Sequence, residues 1–309
     1  MGGEFAALAP FAFGVVSNEI SDDVGRVVDV AQALGMTRVE VASLWGTPVT
    51  EAGPDLLARA KRELERTGLR ANLVISSAFK SLVVKDASPA NLAAIPSWDA
   101  HWRELEGGVR AAQALGCDRI RVFSGRRDTL PAKDNPSPRH PDGGELPDDR
   151  LVVIVALLHA AAARAQAAGV ALGVENVRSC WGNSARNTAR IMAAVAHPAV
   201  GIVWDPANDF VSGGRAGVAE YELVKPWLVD VHLKDARVRD AATGLTSWEA
   251  IGRGSVDVTA QLRALLRGGY RGVVSLETHW TADGQTKEQN SRVSFAGLQA
   301  ALHRARMGL

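Results

Sequence analysis

The 309-residue chain is 47% apolar and 22% charged with a net charge of +1, the balance of a globular protein with a sizeable core. Basic and acidic residues are nearly equal in number and form no long single-sign run, which argues against nucleic acid or an anionic membrane as partner and in favour of small, near-neutral molecules. Two cysteines, Cys117 and Cys180, neither in a CxxC pair, rule out a disulfide framework and point to a reducing, cytoplasmic setting.

The opening MGGEF reads as partly a cloning remnant, and no basic segment followed by an apolar run begins the chain. The longest apolar stretch, Leu151 to Ala163, contains His159 and is too short to cross a bilayer. Strand patterns fall near 11–17, 38–43, 69–76, 119–124, 170–176, 200–205, 228–234 and 272–278. Helical patterns alternate with them near 22–34, 54–67, 98–115, 149–168, 187–196, 216–225 and 256–268. Ser21 or Asp22 is expected to cap the first helix and Asp148 a later one, while Gly35, Gly68, Gly116 and Gly169 follow the last turns of four helices.

Such alternation predicts α/β architecture with a parallel sheet, and eight strands predict a single closed (β/α)8 barrel over residues 1–309. A doubly wound open sheet is the alternative, but no GxGxxG follows the first strand. The connections 77–97 and 125–148, the latter with PAKDNPSPRHPDGGELPDD, exceed ordinary βα loops and follow strands. Both are therefore expected at the catalytic rim as lids, surface insertion being the plainer reading. The apolar helix 149–168 and the Ala-rich 187–196 either cover the barrel or also form a homo-oligomer contact.

Four late apolar runs end in a metal-ligand type: Glu175 in ALGVEN, Asp205 in VGIVWD, His232 in LVDVHLKD and Glu277 in GVVSLETHW. Ionisable side chains are rarely buried unless paired or coordinating, and the C-terminal ends of consecutive barrel strands converge. One cation would satisfy all four. Three carboxylates and one imidazole suit Mn2+, Mg2+ or Co2+, with Zn2+ in an open site also compatible. Asn176, Asn208, Lys234, Asp235 and His279 stand beside the ligands, placed to orient them and to grip substrate oxygens. An ordinary ion pair is the plainer reading of Lys234 and Asp235. Trp45, Trp181, Trp204, Trp248 and Trp280 cluster near strand ends, with Trp181 and Trp280 the foremost candidates to face a sugar ring. Glu40 in RVEVAS, the ionisable residue inside the second strand, is expected to bond substrate, or else to form a rim ion pair.

The segments GVEN, VWDPAN, VHLKD and IGRGSVDV with GYRGVVSLETHW resemble the xylose isomerase-like TIM-barrel superfamily of sugar isomerases and epimerases. The resemblance spans most of the chain and is most specific over 170–280. It implies that Glu175, Asp205, His232 and Glu277 bind one divalent metal, commonly manganese, and that Glu175 and Glu277 are the acid/base pair. It further implies enolisation of a keto-sugar or polyol carbonyl, with epimer, isomer or β-elimination product set by where the proton returns. Ketose 3-epimerases of this superfamily usually carry a substrate-binding His three residues after the metal-binding Asp, where this chain has Asn208. Inosose dehydratases and the catalytic subunits of C-glycoside-cleaving enzymes, which need a small second subunit, are the lyase alternatives. An apurinic-site endonuclease would want further histidines and a basic stripe, and a non-catalytic sugar-binding barrel would not need intact ligands.

Overall fold

The computed structural model describes residues 9–130 and 144–309. Strands β1 (Ala12–Val16) and β2 (Arg38–Val41) precede a short hairpin, β3 (Ser43–Leu44) and β4 (Thr47–Pro48). Strands β5 (Arg70–Val74), β6 (Arg119–Val122), β7 (Ala171–Glu175), β8 (Val200–Trp204) and β9 (Leu228–Leu233) follow. A second hairpin, β10 (Asp235–Asp240) and β11 (Leu245–Glu249), comes before the closing strand β12 (Val273–Leu276). The eight strands expected from the sequence close as β1-β12-β9-β8-β7-β6-β5-β2 with parallel pairing throughout.

Helices α1 (Val24–Ala33), α2 (Pro54–Arg66), α3 (Trp98–Leu115), α4 (Asp148–Gln166) and α5 (Ala185–Val195) wrap the first strands. Helices α6 (Pro206–Val211), α7 (Val218–Val224), α8 (Val258–Arg267) and α9 (Lys287–Met307) wrap the rest. The expected glycine stops hold: Gly35, Gly68, Gly116 and Gly169 have φ of 74°, 73°, 69° and 72°, a region that costs glycine nothing. The cap of α1 is Asp23, whose carboxylate accepts from the Arg26 amide at 2.8 Å, rather than Ser21 or Asp22. Asp148 lies within the first turn of α4 and not ahead of it.

Both hairpins, α6 and α9 go beyond the sequence expectation. Helix α9 buries Asn290, Ser291, Ser294, Phe295, Leu298, Ala301, Leu302 and Ala305. Small polar residues fill its first inner turns, so the apolar period is diluted there although the face is continuous. Segment 77–97 buries Phe79, Leu82, Val84 and Ile95 in the main core, which makes it a packed wall of the barrel mouth. The other expected lid lies largely outside the described residues. Among the described residues no helix is long and apolar enough to cross a membrane, and both cysteines are buried free thiols.

Candidate metal centre

Strand periodicity places the four ligand candidates. Alternate residues face the barrel interior, so Glu175 shares the inner face of β7 with Gly173, and His232 that of β9 with Asp230. Gly173 leaves room for this crowd: a Cβ there would lie 2.7 Å from Val203 Cγ2. Asp205 follows β8 and caps α6, its Oδ1 accepting the Asn208 amide at 2.8 Å. Its Oδ2 is buried and accepts no hydrogen bond, although Lys234 Nζ lies 2.9 Å away. Glu277 follows β12, where its amide still bonds Leu233 O at 3.1 Å.

Ligand atoms of Glu175, Asp205, His232 and Glu277 all lie within 4.8 Å of one another, and all four residues are buried. Donors at roughly 2.0–2.6 Å from one cation are necessarily about that close to each other. The four residues thus fit one divalent ion by spacing, by donor chemistry and by the hydrogen-bond-free Oδ2.

Two cations stand among these carboxylates. Arg121 Nη1 is 2.9 Å from Glu175 and 3.6 Å from Glu277, and Lys234 Nζ is 2.5 Å from Glu277. Burial would raise Glu175, but Arg121 and His232 outweigh it and its carboxyl falls to about 2. Burial likewise opposes ionisation of Glu277, and Lys234 and His232 hold it well below the usual range. Asp205 goes the other way: burial lifts it to about 6, Lys234 offsetting only part while Glu277 and Glu175 add to the rise. Burial pulls the Lys234 ammonium down, yet Asp205 and Glu277 together raise it above its ordinary value.

Glu40 is fully buried and stands behind His232, its Oε2 2.7 Å from Nε2, and it does not line the cavity above the carboxylates. This leaves Nδ1 toward the carboxylates, 3.1 Å from Glu277 and 3.6 Å from Glu175. Asn176 ties the ends of β7 and β8 reciprocally, donating to Asp205 O at 2.8 Å and accepting its amide at 2.7 Å. Asn208 donates to Glu175 Oε1 at 3.1 Å and to Asn176 O at 2.9 Å. Asp235 accepts the amides of Ala236, Gly252, Gly254 and Val256. It therefore organises the glycine-rich segment after β11.

Above the carboxylates opens a cavity of about 190 Å³ whose lining includes Lys80, Arg121, Arg178, Asn208, Lys234, Trp248 and His279. His279 reaches it by a route other than strand continuation: β12 stops at Leu276, and His279 has φ 51° and is held by Glu19 at 2.7 Å. The tryptophans occupy different places around the cavity. Trp181 is 2% exposed and Trp280 carries the Arg253 guanidinium over its ring at 5.6 Å, and neither lines the cavity. Trp248, on the hairpin, does, with Lys234 Nζ 5.1 Å from its ring. Trp204 is fully buried and donates to Gln261, and Trp45 stacks under Arg59.

Sequence reading missed Arg121, Lys80 and the cavity role of Trp248. Arg121 had a signal, being a cation inside the apolar run IRV, two residues past Arg119 on the same strand face. Lys80 had none, since only the fold of 77–97 brings it to the site.

The pattern of the xylose isomerase-like TIM barrel matches residues 28–300. A human protein named for hydroxypyruvate isomerase activity is 40% identical over 100 residues, 32% of this chain, so the match spans about a third (32%) of that protein's length. The structure of an L-ribulose 3-epimerase superposes with a TM-score of 0.71 at 16% identity, over 96% of each chain. A D-allulose 3-epimerase from Methylomonas sp. gives 0.68 at 17% identity, over 95% of this chain and 98% of that one. At these identities the structural likeness establishes the barrel, while the match over most of the sequence establishes the lineage: the chain belongs to the xylose isomerase-like TIM-barrel family.

Proposed function

We propose that the chain is a divalent-metal-dependent isomerase or epimerase acting on a keto-sugar or a related hydroxy-carbonyl compound. The observation that carries this reading is the convergence of Glu175, Asp205, His232 and Glu277 within 4.8 Å at the floor of a cavity. A cation held by these four residues, manganese foremost, supplies Lewis acidity to a carbonyl and its neighbouring hydroxyl oxygen.

The chain's own groups handle the proton. Glu175 and Glu277 are both kept ionised, the first by Arg121 and the second by Lys234, so either can accept a proton from carbon next to a carbonyl. Delivery of a proton to the opposite face by the second glutamate, once that carboxylate has taken one from solvent, gives an epimer, and return of the abstracted proton by the first glutamate to the neighbouring carbon gives an isomer. The name of the human relative supports the isomerase outcome, and the epimerase neighbours share the barrel. Incubating hydroxy-ketones in D2O with the Mn2+-loaded protein tests the reading: an α-proton must exchange with solvent. No exchange on any hydroxy-ketone, with metal bound, refutes it.

A further inference from the structure

We propose that the base of the barrel, at the end opposite the metal centre, binds a hydrogen phosphate group, free or as part of a phosphomonoester.

Three neighbouring staves, β2, β5 and β6, begin with Arg38, Arg70 and Arg119, whereas the other five begin with alanine, valine or leucine. Arg38 pairs in register with Arg70, and Arg119 stands two residues before Arg121, whose side chain reaches Glu175 inside the barrel. Alternation therefore aims Arg119 inward at the base. With Lys61 the three arginines line a groove of about 730 Å³ that holds two carboxylates, Glu65 and Asp118. These offset only part of the charge, Glu65 lying 3.9 Å from Lys61 and Asp118 4.0 Å from Arg119. Arg38 Nη1 donates to Thr37 O at 3.0 Å. Arg70 has no ion-pair or hydrogen-bond partner among the described residues.

The inner wall of the groove narrows the ligand. Asn72 lines it, is only 9% exposed and donates Nδ2 to Asp230 at 2.8 Å, while its Oδ1 is buried and accepts no hydrogen bond. Arg119 Nε is likewise buried and donates to nothing, although Nη1 reaches Val229 O at 3.5 Å. A buried acceptor without a donor and a buried donor without an acceptor are both costly. A group that carries an O–H beside charged oxygens satisfies both, and the planar guanidinium fork suits phosphate. Hydrogen phosphate keeps an O–H near neutral pH and sulfate has none. Sulfate would turn lone pairs toward Asn72 Oδ1, so the groove should reject it although the two ions are alike in size.

The test titrates the full chain with phosphate, sulfate and glycerol 3-phosphate near pH 6, where about half of a phosphomonoester keeps its O–H. Binding is followed by NMR on the Nε–H signals of labelled arginines, which separate the base from Arg121 at the metal centre. Phosphate should shift the Arg70 and Arg119 signals and bind roughly tenfold or more tighter than sulfate. Arg70→Met should weaken phosphate roughly tenfold; Arg70 is exposed, and an unchanged thermal melt shows that the loss is not one of folding. Tighter binding of glycerol 3-phosphate than of phosphate upholds the site with an ester as ligand, and the reverse upholds it with the free ion. An unmoved Arg119 signal, equal affinities for phosphate and sulfate, or undiminished affinity in Arg70→Met overturns the proposal.

Discussion

Replacing Glu40 by glutamine removes one charge from beneath the ligand cluster while keeping shape. In the native protein Glu40 Oε2 is 2.7 Å from His232 Nε2, and neither side chain has any exposure. Burial pulls the His232 imidazolium down, yet Glu40 and Glu277 outweigh it and leave it well above 6.5. With Nε2–H committed to Glu40, Nδ1 is the nitrogen that faces Glu175 and Glu277. A glutamine can accept the same proton only by burying its own N–H2 without an acceptor, or can donate and so force the proton onto Nδ1. A hydrogen bond to a charged group contributes about 1.5–3 kcal/mol, and outer partners of ligating histidines are typically worth about 10–100-fold in metal affinity. Glu40→Gln should therefore weaken Mn2+ binding by roughly 1.4–2.8 kcal/mol, measured by calorimetry on folded, metal-free protein. A variant that binds Mn2+ within about twofold of the native chain would show that Glu40 does not set the orientation of His232.

Glu277→Gln should keep the circular dichroism spectrum and lose at least about 10²-fold in exchange rate, the usual contribution of a positioned base. Trp248→Ala should raise KM about tenfold with kcat little changed, a loss of about 1.5 kcal/mol of ring contact. A changed kcat with unchanged KM would place the ring elsewhere. His101 Nδ1 accepts the Phe79 amide at 3.1 Å, and burial lowers its pKa below 6.5 despite Glu104 nearby. The unfolded chain takes up this proton more readily, so the stabilisation is full above 6.5 and is lost as pH falls through the folded value. The protection factor of the Phe79 amide, its exchange rate corrected for the intrinsic pH dependence, should fall on acidification in the native chain and lose that response in His101→Gln. Asn208→Asp places a further carboxylate beside Glu175, bonded now at 3.1 Å. It should destabilise the metal-free protein by roughly 3–5 kcal/mol, the cost of an uncompensated buried charge, with recovery on adding Mn2+. Thermal melts that are the same for both proteins without metal would refute the charge argument.

Legibility in the sequence followed periodicity. The strand ends carrying Glu175, Asp205, His232 and Glu277 were readable because an ionisable residue closes each apolar run and the runs are consecutive in a closed barrel. Glu40 was visible as a buried-strand carboxylate but not its partner, since β1 and β12 stand between β2 and β9 around the barrel and no local signal joins residues 192 apart. The places of the tryptophans relative to the cavity were hidden for the same reason. Position near a strand end does not say whether an indole turns inward, as Trp181 does, or stands on a hairpin over the cavity, as Trp248 does. Lys80 and His279 depend on loop backbone, one in a packed crossing and the other at φ 51°, where no side-chain period applies.

The barrel interior beneath the site gives the site its physical rationale. Barrel cores are ordinarily filled by branched apolar layers, yet here the inner face holds Glu40 under His232, then Asp230 bonded to Asn72 at 2.8 Å, with Arg119 nearby. Burial lifts Asp230 well above the usual carboxylate range, Glu40 adding to it, and Asn72 supplies its hydrogen bond in the shaft. Replacing such buried polar clusters by apolar side chains is often neutral or stabilising. A polar shaft is thus poor packing for stability alone. In the proposed centre its value lies in fixing which nitrogen of His232 faces the cluster, with the Glu40 carboxylate behind Nε2 and its other oxygen, Oε1, without a hydrogen bond. A buried carboxylate oxygen without a partner is costly, and the orientation of His232 is the gain set against it, so the hidden pair Glu40–His232 belongs to the proposed centre as much as the residues that open onto the cavity.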